Sequence, residues 1–97
     1  MHYVVIYDFT DDRARARAAR VLLDYGMTRI QYSAFVGELE PRRARSLLTD
    51  LRKIVSSARG DRRVVHLFPV PVSSLRGVIV LGESPWAGEG ARGSEVI

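Results

Sequence analysis

Tyr3-Val4-Val5-Ile6-Tyr7-Asp8-Phe9, followed at once by Thr10-Asp11-Asp12, is the stretch on which the fold turns. Its first seven residues are β-branched or aromatic except for Asp8, the composition of a buried strand. Alternation puts Val4, Ile6 and Asp8 on one face and Tyr3, Val5, Tyr7 and Phe9 on the other. Both faces are otherwise apolar, so the Asp8 carboxylate is the one group in the strand that needs a reason. Thr10-Asp11-Asp12 supplies an N-cap and acidic first-turn residues, which suit the positive end of a helix. The strand therefore hands over directly to a helix expected over Asp11 to Tyr25 and stopped by Gly26. Ala14, Ala18, Val21, Leu22 and Tyr25 form its apolar stripe. Arg13, Arg17 and Arg20 line one flank of that stripe, and Arg15 lies on the other.

Further along, Thr28 to Leu39 carries Ile30, Tyr32, Phe35, Val36 and Leu39 between short polar interruptions. It reads as two short strands with a bend near Tyr32-Ser33, or as one long bulged strand, since no Asn-Gly turn signal marks a hairpin. Pro41 then opens a second helix. Ala44, Leu47, Leu48, Leu51, Ile54, Val55 and Ala58 fall on one face of it, and Arg42, Arg43, Arg45, Asp50, Arg52 and Lys53 fall off that face. Gly60-Asp61 is a turn, Arg62 to Phe68 a strand that Pro69 and Pro71 end, and Arg76 to Leu81 a last short strand. Residues 83–97, with Pro85, Gly88, Gly90 and Gly93, form an expected flexible tail whose only anchors are Trp86, Val96 and Ile97.

The order strand, helix, strand, strand, helix, strand is an α+β arrangement, the ferredoxin-like βαββαβ sandwich with both helices on one face of the sheet. Residues 1–82 form this one domain, and the fifth strand has no seat in a four-stranded sheet. It would extend an edge of its own sheet or of a partner's. A chain of 97 residues buries a modest fraction of its surface, so pairing with a second copy would help it.

Composition narrows the partners. The net charge is +4, and of the 15 basic residues all but Lys53 are arginine, whose forked guanidinium suits phosphate. A basic domain attracts polyanions whatever its fold. No apolar run approaches the roughly 20 residues that span a bilayer. Asp8, Asp11 and Asp12 interrupt the N-terminus where the apolar region of a leader would continue. Without cysteine there is no disulfide framework and no thiolate zinc site, so the cytoplasm is the expected compartment.

Two stretches carry a resemblance. Val4-Val5-Ile6-Tyr7-Asp8-Phe9-Thr10-Asp11-Asp12 resembles the opening motif of the small CRISPR-associated adaptation protein family, CRISPR-associated protein two. Gly26-Met27-Thr28-Arg29-Ile30-Gln31-Tyr32-Ser33-Ala34-Phe35-Val36-Gly37-Glu38-Leu39 resembles its second signature, and Pro69 and Val78-Ile79-Val80-Leu81-Gly82 are also similar. The resemblance implies a homodimer of ferredoxin-like subunits whose last strand reaches the partner's sheet. It implies that Asp8 meets its symmetry mate and binds Mg2+ as the catalytic residue of an endonuclease acting on RNA or DNA in antiviral defence. Members that do not cut serve instead as the DNA-binding centre of the spacer-integration complex, alongside an integrase partner. By position, Arg15, Arg17, Arg29 and Phe35 match residues that the family uses near its site.

Each of these residues has a plainer reading. Asp8 would simply cap the turn into the first helix. Magnesium keeps several waters and takes one or two carboxylates, so the catalytic reading needs a two-fold axis that brings two copies of Asp8 to one ion. Asp11 and Asp12 read as helix-start residues. Arg13 and Arg20 read as a solvated face, and Phe35 as core unless it is exposed to a base. His2 and His66 have no zinc spacing, and His66 reads as a packing residue within a strand. No triad context and no phosphate-binding glycine loop is present.

Overall fold

Residues 1–84 are described by the structure, a computed structural model. The chain runs β1 (His2–Phe9), α1 (Asp12–Asp24), β2 (Thr28–Gln31), β3 (Ala34–Glu38), α2 (Pro41–Ser57), β4 (Arg63–Val70) and α3 (Val72–Arg76). The four strands form one antiparallel sheet in the order β2-β3-β1-β4, which is the ferredoxin-like order expected from the sequence. Both long helices pack on one face of it.

Alternation in β1 decides which face. Val5, Tyr7 and Phe9 are buried, while Ile6 and Asp8 are exposed. Phe35, Leu22, Leu39, Leu47 and Ile54 complete a core between sheet and helices, and no polar side chain among the described residues is buried with them. The helix stripes read from the sequence are the ones that pack: Ala14, Ala18 and Leu22 from α1, and Ala44, Leu47, Leu51 and Ile54 from α2. Leu48 is the exception and stays exposed.

The ends of α1 show why it starts and stops where it does. Asp11 is the N-cap, its Oδ1 accepting from the Arg13 and Ala14 amides. Gly26 follows the C-cap Tyr25 with φ +84°, and the Gly26 and Met27 amides donate to the carbonyls of Leu23 and Leu22. This pair of bonds closes the helix only around a left-handed residue, which glycine adopts without strain. Pro41 opens α2 at its first turn, as expected.

Three expectations are refined. Residues 28–38 form two strands, and the irregular register lies within β2, between Arg29 and Gln31. β4 continues through Pro69, which pairs with Tyr3, because β4 is an edge strand with only β1 beside it. Proline is tolerated there when its missing N–H would have faced outward.

The third is a correction. Arg76 to Leu81 is not a strand within this chain. Pro71 caps the short helix α3, Gly77 ends it, and residues 78–81 have no ladder partner. Extended backbone without a neighbouring strand gains no ladder hydrogen bonds. The segment instead lies over part of the uncovered sheet face. Together with His2, Val4, Thr28, Ile30 and Val36 it encloses a cleft of about 600 Å³. Of the expected flexible tail, residues 85–97 lie outside the described part of the chain.

Candidate nucleic-acid interface at the end of β1

The site is built where β1 gives way to α1. Asp11 holds two segments at once: its Oδ1 caps α1, and its Oδ2 accepts from the Arg59 amide at 2.9 Å. Thr10 Oγ1 donates to Asp61 Oδ1 at 3.0 Å and accepts from the Arg62 amide at 2.9 Å. The Thr10 amide donates to the Arg62 carbonyl at 2.9 Å. The loop ahead of β4 is thereby clasped to the start of α1. Gly60 makes the clasp possible, with φ +88° and its Cα so close to Thr10 that a Cβ would lie 2.7 Å from the threonine's own.

The clasp has an electrostatic signature. The Asp11 carboxyl is held below the ordinary carboxylate range, mainly by the hydrogen bond from the Arg59 amide and then by those from Arg13 and Ala14. Asp61 is lowered too, chiefly by the Thr10 hydroxyl. Asp11 is thus a helix-start residue, as its sequence position suggested. So is Asp12, which pairs with Arg15 within the first turn.

Fixing the loop brings Arg62 to Asp8. Arg62 Nε donates to Asp8 Oδ1 at 3.1 Å, and both side chains are 56% exposed. A pair this wet is worth about 0–1 kcal/mol, so Asp8 is available to another cation at little cost. Sequence reasoning missed Arg62, because 54 positions separate it from Asp8 and only the β1–β4 register joins them.

The arginines singled out by resemblance divide. Arg15 donates through Nη1 to the carbonyls of Phe9 (2.8 Å) and Thr10 (3.3 Å), holding the β1-to-α1 turn beside Asp8. Arg29 donates from Nη2 and Nε to the Tyr32 carbonyl at 2.9 and 3.2 Å, and its guanidinium lies 5.1 Å from the centre of the Phe35 ring. The Tyr7 hydroxyl donates to that same carbonyl at 3.2 Å, and the Tyr7 amide donates to Ser33. The β2–β3 bend is therefore fastened to the residue just before Asp8. Arg17 stands apart on the helical side, where Nη1 donates to Ser57 Oγ at 3.2 Å.

Phe35 differs from its expected role at a nucleic-acid surface. It is 0% exposed, stacked near Tyr7 with ring centres 6.3 Å apart, so no base can reach it in this fold. It seats the Arg29 guanidinium from below.

Asp8 projects from the sheet face that the helices leave bare. On that face the register sets Asp8 opposite Val64, Ile6 opposite His66, and Val4 opposite Phe68. Ile6, Val64 and Phe68 are 42%, 40% and 46% exposed, an apolar patch of the kind that marks an interaction surface. No group of three His, Cys, Asp or Glu side chains among the described residues could hold a metal ion. On the bare face at this end one chain presents a single carboxylate, Asp8, and a second copy would add its own, which matches the one or two carboxylates that Mg2+ takes. No helix among the described residues is long and apolar enough to cross a membrane.

Comparison with known proteins agrees with this geometry. The family model described as CRISPR associated protein Cas2 matches residues 1–74. A protein of Chloroflexus aurantiacus named CRISPR-associated endoribonuclease Cas2 2 is 46% identical over 68 residues, 70% of this chain and 76% of the relative. The CRISPR-associated endoribonuclease Cas2 1 of Archaeoglobus fulgidus is 41% identical over 70 residues, 72% of this chain and 71% of the relative. A Thermoproteus tenax protein named as a CRISPR-associated endonuclease Cas1/endonuclease Cas2 fusion is 34% identical over 91% of this chain, which matches 32% of the fusion. Among solved structures, a hypothetical protein from Thermus thermophilus superposes with a TM-score of 0.66 at 30% identity, covering 87% of this chain and 93% of that one.

Proposed function

The chain belongs to the CRISPR associated Cas2 family, and on that premise we propose that two copies pair through the bare sheet face to form a magnesium-dependent endonuclease acting on RNA or DNA in antiviral defence. One observation carries the reading: among the described residues, Asp8 is the carboxylate of that apolar face at the end where Arg15, Arg29 and Arg62 are gathered. Relatives named as endoribonucleases support the nuclease class.

In the pair, the Asp8 carboxylates of both copies would hold one Mg2+. When bound, the ion lowers the pKa of a water and neutralises charge on the scissile phosphate. The protein's own part is placement. Phe9 and Thr10, whose carbonyls Arg15 holds, fix the end of β1 from which Asp8 projects. Arg62 stands beside the carboxylate as a permanent cation, able to turn to a phosphate oxygen once Asp8 has another partner. Exposed Arg13 and Arg59 extend the positive surface around this end, where phosphate contacts position a strand without reading its bases.

The test is cleavage of RNA and DNA oligonucleotides by wild type and Asp8→Asn, with Mg2+ or with chelator. The substitution is nearly isosteric and removes only the anionic ligand. Loss of at least a hundredfold in rate, with fold, pairing and binding retained, is the expected result. Undiminished cutting by Asp8→Asn would move the site elsewhere.

A second reading has its own support in the Thermoproteus tenax fusion, where a chain similar to this one is joined to a Cas1 portion. In that reading the pair is a non-catalytic DNA-binding scaffold for a Cas1-type integrase partner, and Arg62 keeps Asp8 neutralised. Wild type inert under all metal conditions, yet binding duplex DNA, selects it.

A further inference from the structure

The bare face carries a second chemically capable side chain beside Asp8. The register sets Asp8 opposite Val64 and Ile6 opposite His66, so Asp8 and His66 are diagonal neighbours on one face. Such neighbours lie roughly 7–8 Å apart across an antiparallel pair. At that backbone spacing both side chains can reach one phosphodiester laid across the two strands. His66 is exposed, and its ring lies parallel to that of Phe68, 8° from coplanar with centres 5.9 Å apart. Phe68 thus sets the plane of the imidazole. Ile6 and Val64 flank it with apolar surface.

Hydrolysis of a phosphodiester forms a bond from a water oxygen to phosphorus and breaks the bond from phosphorus to one sugar oxygen. That oxygen departs as an alkoxide unless a proton reaches it. Arg62 cannot supply the proton, because a guanidinium does not deprotonate in proteins. An imidazole can, since its ring nitrogens give up and take back a proton. The charged groups around His66 are Asp8 on β1 and Arg62 just before β4, while His2 and Glu38 lie at the opposite end of the face and the helices pack on its reverse.

We propose that His66 is the general acid of this site. It gives its proton to the leaving sugar oxygen and regains one from solvent, to which the attacking water releases its own. This rests on the nuclease reading above, and adds to it the residue that completes the reaction.

The experiment compares wild type with His66→Gln on oligonucleotides that carry either natural linkages or sulfur in place of the bridging oxygen at one phosphodiester, on the 3′ or the 5′ side in separate substrates. A thiolate leaves without needing a proton. His66→Gln is expected to lower kcat on the natural linkage by roughly 10²–10⁴-fold, with KM within about twofold, and to recover to within about tenfold of wild type on one sulfur-bridged substrate. Melting temperature and solution mass are measured alongside, and because His66 lies outside the core but on the proposed pairing face, rates are compared at concentrations where the variant keeps the wild-type mass. Unchanged kcat on the natural linkage overturns the assignment, as does an equal loss on every substrate. Wild type that cuts nothing with Mg2+ removes the nuclease reading itself, and the assignment with it.

Discussion

Gly60 shows how much can depend on one hydrogen atom. Its backbone is left-handed and its Cα faces Thr10, so any side chain there meets both strain and a collision at 2.7 Å. Gly60→Ala is expected to lower stability by about 1–2 kcal/mol from the backbone conformation alone. Thermal melting measures it. Because Gly60 aligns the loop that delivers Arg62, the variant should also loosen the pair with Asp8, visible as altered amide exchange at Arg59 and Arg62. The sequence marked Gly60-Asp61 as a turn and Asp8 as the odd residue of its strand. It could not mark Arg62 as the partner of Asp8, since cross-strand neighbours are set by register, and register is a property of the assembled sheet. The core reading of Phe35 holds, but its seating of the Arg29 guanidinium was hidden, because that contact too depends on how β2 and β3 align.

At the scale of elements, the join between α1 and the loop before β4 is an acid-labile clasp. Asp11 and Asp61 both titrate below the ordinary carboxylate value of 3.8 in the folded chain. A depressed folded value means that the folded state binds the proton less readily than the unfolded chain does. Their stabilisation is therefore complete above that ordinary range and is lost as the pH falls through and below it. Melting temperature is expected to hold from pH 7 to about 5 and to drop below about pH 4. Asp11→Asn, which keeps a capping oxygen without the charge, should flatten that drop. An unchanged acid limb in Asp11→Asn would assign the lability to other groups. Both long helices and their buried stripes were legible beforehand, because a 3.6-residue period needs no knowledge of neighbours. Residues 76–81 differ for the opposite reason: a β-rich pattern becomes a strand only where an edge receives it, and within one chain none does.

Across the whole molecule the asymmetry is one of faces. One side of the sheet is sealed by two helices, and the other, among the described residues, is covered at its far end by the α3 segment. A chain that leaves Ile6, Val64 and Phe68 exposed, along with Ile79 and Leu81, has reason to bury them against a second copy. Sedimentation at micromolar concentration is expected to give twice the 10.9 kDa chain mass. A chain ending at Val72 should shift toward the single-chain mass, since it loses the segment proposed to bridge the two copies. A full-length chain that stays monomeric would remove the two-carboxylate site as well.

The outer edge of β4 adds a constraint of another kind. With Pro69 oriented so that its absent donor faces away from β1, the backbone groups of Arg63, Val65 and Leu67 share that outward direction. An unpaired edge is a template on which foreign strands can grow. Here the template is short. A strand annealing to it finds three donors in succession and then a gap at Pro69, so propagation along the edge halts within one strand length. The same interruption limits what a productive strand can gain here, because it finds no donor beyond Leu67.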